Sequence, residues 1–222
     1  MQTKPFVWTY TNINTYDDVC PRQFFMTYIK KAIPYKATPE MDFGNRVHDA
    51  FERRVGGNVP LPSEMRQWEK FAAPLDGSKA RVELKLGITR EGRPTGFFDA
   101  DVFGRVKVDT IVMNGTAGVM FDWKTGNSKY EKPFELEIGA MFLKAHNPHL
   151  TKVSGSYVWL KDDRVGRAYD LSDFNSTWAR VNNIVEKIED NMATGEWEER
   201  RGPLCAWCRD FSCSNNTNQK RD

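Results

Sequence analysis

The sequence predicts an α/β domain in which a mixed central sheet, part of it a β-meander, is flanked by helices. Three observations predict it. Apolar residues fall at helical spacing before position 60, four β-rich runs follow between 81 and 124, and helical spacing returns after 133 on both sides of one further strand.

The elements follow in order along the chain. Residues 12–31 read as a capped helical segment, broken at Pro21, which lacks an amide donor, and resuming with an aromatic face. A helix is predicted from about Pro39 to Val55, with Val47, Phe51 and Val55 as its apolar stripe and Gly44 and His48 one turn apart along its edge. Gly56-Gly57 is expected to stop it. The runs 81–89, 95–103, 105–113 and 117–124 have period two and are separated by Gly, Pro and Asn. A helix is expected from about Pro133 to His146, stopped by Pro148, then a strand from Val153 to Leu160 with a partner at Arg167 to Leu171. The last helix starts at a Ser172 or Asp173 cap and ends near Gly195, and the polar tail after Cys213 is expected to fray.

At 222 residues with 40% hydrophobic content, the chain fits one domain spanning 1–222 with a core large enough to fold alone. The balance of 32 basic against 30 acidic residues excludes a blanket electrostatic attraction to nucleic acid, so any basic surface must be local. No apolar run approaches the roughly 18–20 residues of a membrane span, and Met1-Gln2-Thr3-Lys4-Pro5 lacks the apolar stretch of a secretory signal. The expectation is a soluble, cytoplasmic protein with no membrane partner.

Asn114-Gly115 is the strongest short hairpin signal and favours a two-residue type I′ turn. With Met113 opposite Thr116, Asp109 lies opposite Met120 and Asp122 is its diagonal neighbour. Alternation then adds Lys124 to that face and turns Val119, Phe121 and Trp123 to the other. Diagonal neighbours are about 7–8 Å apart, so two acids could converge on a hard divalent cation, Mg²⁺ or Mn²⁺. The lysine would stand beside the bound water and the phosphate, and the chemistry implied is phosphodiester hydrolysis by a metal-activated water. The same three residues would also serve as a salt-bridge ladder on a half-exposed hairpin, and the triplet alone does not separate the two.

Cys20 stands near the start, while Cys205, Cys208 and Cys213 crowd the end. The C-x-x-C pair after Gly202-Pro203, with a third cysteine close by, suggests a metal clip rather than disulfides in a reducing compartment. Four thiolates suit either Zn²⁺ or an iron–sulfur cluster, and spacing leaves both open.

Five pieces in sequence order resemble the RecB-like branch of the PD-(D/E)xK nuclease superfamily, which includes AddB-type subunits and CRISPR-associated RecB-like exonucleases. Cys20-Pro21-Arg22-Gln23-Phe24-Phe25 is similar to that group's first helix, and Gly44-Asn45-Arg46-Val47-His48 to its G-x-x-x-H motif. Asp109 follows a strand as the first acidic ligand does. Asp122-Trp123-Lys124-Thr125-Gly126 resembles the D-x-K-T-G core, and Cys205-x₂-Cys208-x₄-Cys213 the cluster-binding triplet.

The resemblance implies a restriction-endonuclease-like core over 39–195, with 1–38 and 196–213 as the cluster-binding ends and 214–222 as a flexible tail. It implies that His48, Asp109, Asp122 and the carbonyl of Trp123 ligate the metal, with Lys124 as the catalytic lysine. It also tilts the choice for Cys20, Cys205, Cys208 and Cys213 toward [4Fe–4S] over Zn²⁺. Two departures stand out: Glu135 occupies the place of the family's Gln, which adds a carboxylate beside the site, and Gly139 that of its Tyr. Glu83 is a candidate accessory acid.

The activity implied is a Mg²⁺- or Mn²⁺-dependent deoxyribonuclease, an exonuclease acting on DNA ends or single strands, with recombination, repair or replication proteins as possible partners. The chain carries no Walker lysine motif. Arg22, Lys30, Lys31, Arg46 and Lys129 are candidate phosphate contacts, and Trp8, Tyr10 and Tyr130 candidate stacking residues. The rival reading is a non-catalytic DNA-binding or assembly protein that keeps the fold and the clip.

Overall fold

The computed structural model describes residues 6–34 and 36–217, with Tyr130 described by its backbone alone. The chain divides into two compact units, Met1–Val7 with Ala37–Trp178 and Trp8–Lys36 with Ala179–Asp222.

The first unit is built on a mixed sheet. Strands β1 (Arg81–Ile88), β2 (Pro94–Thr95), β3 (Gly104–Asn114), β4 (Ala117–Lys124) and β5 (Lys152–Trp159) lie in the order β2-β1-β3-β4-β5, and β6 (Arg164–Val165) and β7 (Tyr169–Asp170) both pair with β5. Pairing is antiparallel except between β4 and β5, which run parallel from Ala117↔Lys152 to Lys124↔Trp159. A parallel pair needs a crossover, and helix α2 (Phe134–His146) supplies it. Eight of its thirteen residues are buried, as a crossing helix requires.

Helix α1 (Pro39–Gly57) starts at Thr38, whose Oγ1 accepts the Met41 amide (3.3 Å), with Pro39 as its first residue. Gly56-Gly57 does not stop it. Both are helical, and the stop is Asn58, left-handed at φ 53°. Val47 and Phe51 are buried as the stripe predicts, and they pack with Leu61, Met65, Trp68, Trp123 and Val158. Phe51 and Trp123 have ring centroids 4.4 Å apart. The helical turns Ser63–Trp68 and Glu69–Ala72 in this core have no counterpart among the sequence expectations.

The run 95–103 is not a strand beyond Thr95. Asp99 Oδ2 accepts the Gly96 amide (2.8 Å) and the Thr95 hydroxyl (3.1 Å), and Asp101 Oδ1 accepts the same hydroxyl (2.7 Å). Short polar side chains therefore claim the bonds a ladder would have used.

The hairpin β3–β4 also differs from expectation. The turn is Gly115-Thr116, Asn114 pairs with Ala117, and Met113 faces Gly118 rather than Thr116. Gly115 has φ 56° and Thr116 is not left-handed, which fits a type II′ rather than a type I′ turn. The register thus slides by two residues. The last pair is Thr110↔Phe121, so Asp109 and Asp122 are the next residues on each strand, just beyond the ladder.

One irregularity shapes the site. A Cβ on Gly139 of α2 would meet Met120 Cε at 2.6 Å and Val108 Cγ2 at 3.7 Å, so Met120 and Val108 look toward α2. A Cβ on Gly56 of α1 would meet Val82 Cγ2 at 2.7 Å, so Val82 looks toward α1. Yet Val82 pairs with Thr110 and Leu84 with Val108, and residues two apart should share a face. The two strands exchange faces at Glu83 and Asp109, where pairing lapses and Glu83 sits at φ 51°.

In the second unit Thr9 caps the helix Tyr10–Asn14 through a capping box with Asn12. The break in the segment falls at Cys20, which is extended, and not at Pro21, which is tolerated as the first residue of Pro21–Phe24. Trp8 is fully buried and so is not a stacking surface. Arg22 is held by Asp210 (2.7 Å), Glu199 (2.9 Å) and Ser212 (2.9 Å), which removes it from the candidate phosphate contacts. Helix α3 (Phe174–Thr194) begins after Asp173, whose Oδ1 accepts the Ser176 amide (3.0 Å). The tail is anchored as far as it is described: Asn216 Nδ2 donates to the Cys208 and Asp210 carbonyls, both at 2.9 Å. The expected fraying of 218–222 lies outside the described residues, as does the side chain of Tyr130.

Candidate metal centre

At the face exchange the first unit gathers its ionisable groups around a cavity of about 370 Å³, lined by Asn45, His48, Asp49, Lys107, Asp109, Asp122, Lys124 and Glu135. Four carboxylates against two lysines leave a formal charge of −2 with His48 neutral. Such a cavity repels phosphate until a cation enters it.

Each group is placed by its element. Helix α1 brings His48, and Gly44 one turn earlier faces Thr125, the residue after β4: a Cβ there would meet Thr125 Oγ1 at 3.4 Å. His48 Nδ1 is 3.3 Å from Asp109 Oδ2 and 3.7 Å from Glu83 Oε1. Ligand atoms of His48, Glu83 and Asp109 all lie within 4.8 Å of one another, the one such group among the described residues. The sequence offers Glu83 only as an accessory acid, because nothing in a strand pattern marks a residue that will turn left-handed.

Asp109 Oδ2 also accepts the Trp123 amide (3.0 Å), beyond the last β3–β4 pair. An extended residue's N–H and C=O point the same way, so the Trp123 carbonyl faces the site edge while its indole lies in the core. Lys124 Nζ is 2.9 Å from Asp122 Oδ1 and 2.7 Å from Glu135 Oε2, the glutamate supplied by the first turn of α2. Glu83 Oε2 is paired with Lys107. Asp122 Oδ1 and Glu83 Oε2 are both buried, and each has a lysine ion pair but no hydrogen bond of good geometry.

The electrostatics follow from this crowding. Burial pushes the Asp122 carboxyl well above the usual range; Asp109 and Glu135 add to this and Lys124 opposes it. Burial would push the Lys124 ammonium down, but Asp122 and Glu135 outweigh it and keep the lysine protonated. Burial likewise opposes protonation of His48, and the Asp109 hydrogen bond and charge overcome it, so its pKa is raised.

Among the described residues the cysteines form no comparably tight group. All four are free thiols, Cys20 and Cys213 buried and the others half-buried. Cys20 Sγ accepts the Arg200 amide (3.4 Å) and Cys205 Sγ the Gly202 amide (3.3 Å). Burial raises the Cys208 pKa, and the charges of Cys20 and Cys205 contribute to that rise, so the three lie within electrostatic reach of one another.

The family model described as the PD-(D/E)XK nuclease superfamily matches residues 7–210. The crystal structure of SSO0001 is similar, with a TM-score of 0.51 and 16% identity, covering 94% of this chain and 85% of that one. A protein of Eubacterium rectale whose name describes it as an exonuclease has a TM-score of 0.55 and 13% identity, covering 91% of this chain and 87% of its own. At these identities the two structures speak for the fold. No curated protein matches the sequence. Among the described residues no helix is long and apolar enough to cross a membrane.

Proposed function

The chain belongs to the PD-(D/E)XK nuclease superfamily, and from that premise we propose that it is a metal-dependent deoxyribonuclease of the RecB-like branch, an exonuclease acting on DNA ends or single strands. The observation that carries this reading is the gathering of His48, Glu83 and Asp109 within 4.8 Å beside the Asp122–Lys124 pair. Nitrogen and carboxylate donors in a cavity of net negative charge fit a divalent ion such as Mg²⁺ or Mn²⁺. Asp109, Asp122, His48 and the Trp123 carbonyl would hold it, with Glu83 at their side. When bound, such an ion polarises a phosphoryl oxygen and makes water a better nucleophile.

The chain's own groups do the rest. Lys124, whose protonated form Asp122 and Glu135 favour, offers a cation for the charge that builds on the phosphate. Glu135 aims its Nζ from α2. Asp109, by accepting the Trp123 amide, ties β3 to β4 just beyond the ladder and so holds the two acids together.

End-labelled single- and double-stranded DNA digested with Mg²⁺ or Mn²⁺, beside Lys124→Ala, tests the proposal. The parent should cut, and the variant should lose about 10²–10³-fold in rate, as for other removed transition-state donors, while keeping its circular dichroism. Undiminished cutting by the variant refutes the assignment.

We also propose that Cys20, Cys205, Cys208 and Cys213 hold a [4Fe–4S] cluster. The support is their order along the chain and the mutual electrostatic reach of three of them. A single zinc ion draws its sulfurs to about 3.8 Å apart on a tetrahedron with 2.3 Å bonds. A cubane holds its thiolates on separate irons and farther apart. Iron content and visible absorption of protein purified without oxygen decide it; colourless protein carrying one zinc would end the cluster reading.

A further inference from the structure

The open face of β3 carries basic groups beside the metal centre. Arg105 and Lys107 alternate with the buried Val106 and Val108 and approach Asp109 in steps of about 6.8 Å, twice the rise per residue. Lys107 is 46% exposed and lines the cavity. Lys85, also exposed, is its direct partner across the ladder and shares its face.

At the far end of this row the loop after β2 closes over Arg105. Its guanidinium lies 5.4 Å from the Phe97 ring centroid and 5.6 Å from that of Phe98. The Arg105 Nε is buried without a hydrogen-bond partner, so this arginine is held by rings rather than by a carboxylate. Phe98 is 77% exposed, the most open large apolar side chain among the described residues. The loop that presents it is built rather than slack: a Cβ on Gly87 would come within 2.6 Å of the Gly96 carbonyl, and Asp99 and Asp101 turn their carboxylates inward onto Gly96 and Thr95.

We infer that this row is a track for one unpaired DNA strand: Lys107 and Lys85 meet the phosphate next to the scissile one, and Phe98, backed by Arg105, stacks on a base farther along. Steps of two residues on a strand are comparable to the spacing of successive phosphates on an extended chain. A stacked base must be free of its complement, so the track selects single-stranded DNA over blunt duplex. The Phe98 ring meets Phe97 edge-on (centroids 4.9 Å apart) and Arg105 on one side, while most of its surface stays open to a base. The inference rests on the nuclease reading and deepens it by naming the strand state of the substrate.

The test is anisotropy of the intact protein with fluorescein-labelled oligo-dT and with a blunt hairpin duplex, in Ca²⁺, at several salt concentrations. Phe98→Ala should weaken oligo-dT binding about tenfold, from the usual worth of one stacked base, and leave the hairpin unchanged. Lys85→Gln should lower the slope of log K against log salt on oligo-dT by about 0.7, one phosphate contact. Phe98→Trp should retain affinity, with indole fluorescence quenched on binding. Equal binding by Phe98→Ala and parent, or equal loss on both ligands, overturns the track. Cleavage by the parent in Mn²⁺, run alongside, separates the failures: a parent that cuts while Phe98→Ala binds normally loses only the track, and one that neither binds nor cuts loses both.

Discussion

Asp122 is placed where ionisation costs stability in the metal-free protein. Its carboxyl is raised by burial first, and by Asp109 and Glu135 besides. A carboxyl whose pKa rises on folding loses stability as pH climbs from its unfolded value through the folded one. Asp122→Asn should therefore raise the melting temperature of the metal-free protein at pH 8, by roughly 2–4 °C for each kcal/mol relieved, and abolish the stabilisation given by Mn²⁺. Differential scanning fluorimetry with and without Mn²⁺ checks both. His48 shares the logic: its pKa is raised by Asp109, and a protonated imidazole cannot ligate. Mn²⁺ affinity by calorimetry should thus strengthen as pH rises through the raised His48 pKa; an affinity flat with pH would remove His48 from the ligand set. Glu83 combines a left-handed backbone with a buried carboxylate. Glu83→Gly should relieve about 1 kcal/mol of strain and weaken Mn²⁺ binding, a pair of opposite effects that a merely structural glutamate would not give.

At the scale of elements, periodicity was a good guide wherever burial was one-sided. The stripe of α1, the span of α2 and the strands β1, β3, β4 and β5 were legible because apolar faces repeat at 3.6 or 2.0 residues. The run 95–103 failed because its Thr and Asp side chains bond the loop to itself, which no alternation pattern reports. The hairpin register failed by two because Gly115 alone takes a positive φ, but a slide of two keeps Asp109, Asp122 and Lys124 together, so the site survived the error. What alternation could not show is the exchange of faces at Glu83 and Asp109. Gly139 is legible only afterwards: its missing side chain makes room for the tip of Met120. Gly139→Ala should be nearly neutral, since the flexible Met120 end can move and helix propensity gains up to about 1 kcal/mol. Gly87→Ala should cost about 1–3 kcal/mol by denaturant unfolding, because its Cβ strikes the Gly96 backbone.

For the whole molecule, a near-neutral composition conceals a strongly divided surface, with a cavity of net −2 beside the exposed cations of β1 and β3. Neither is visible in a net charge of +2, because both are made by strands that meet only in the fold. The second unit joins Trp8–Lys36 to Ala179–Asp222 and so takes most of α3 along with the four cysteines. The central claim is that one divalent ion sits among His48, Asp109 and Asp122. Crystals soaked in Mn²⁺ and measured at the manganese absorption edge test it most directly. One anomalous peak within about 2.0–2.6 Å of those side-chain donors is the expected result. A peak elsewhere, with that cavity holding only water, would contradict it.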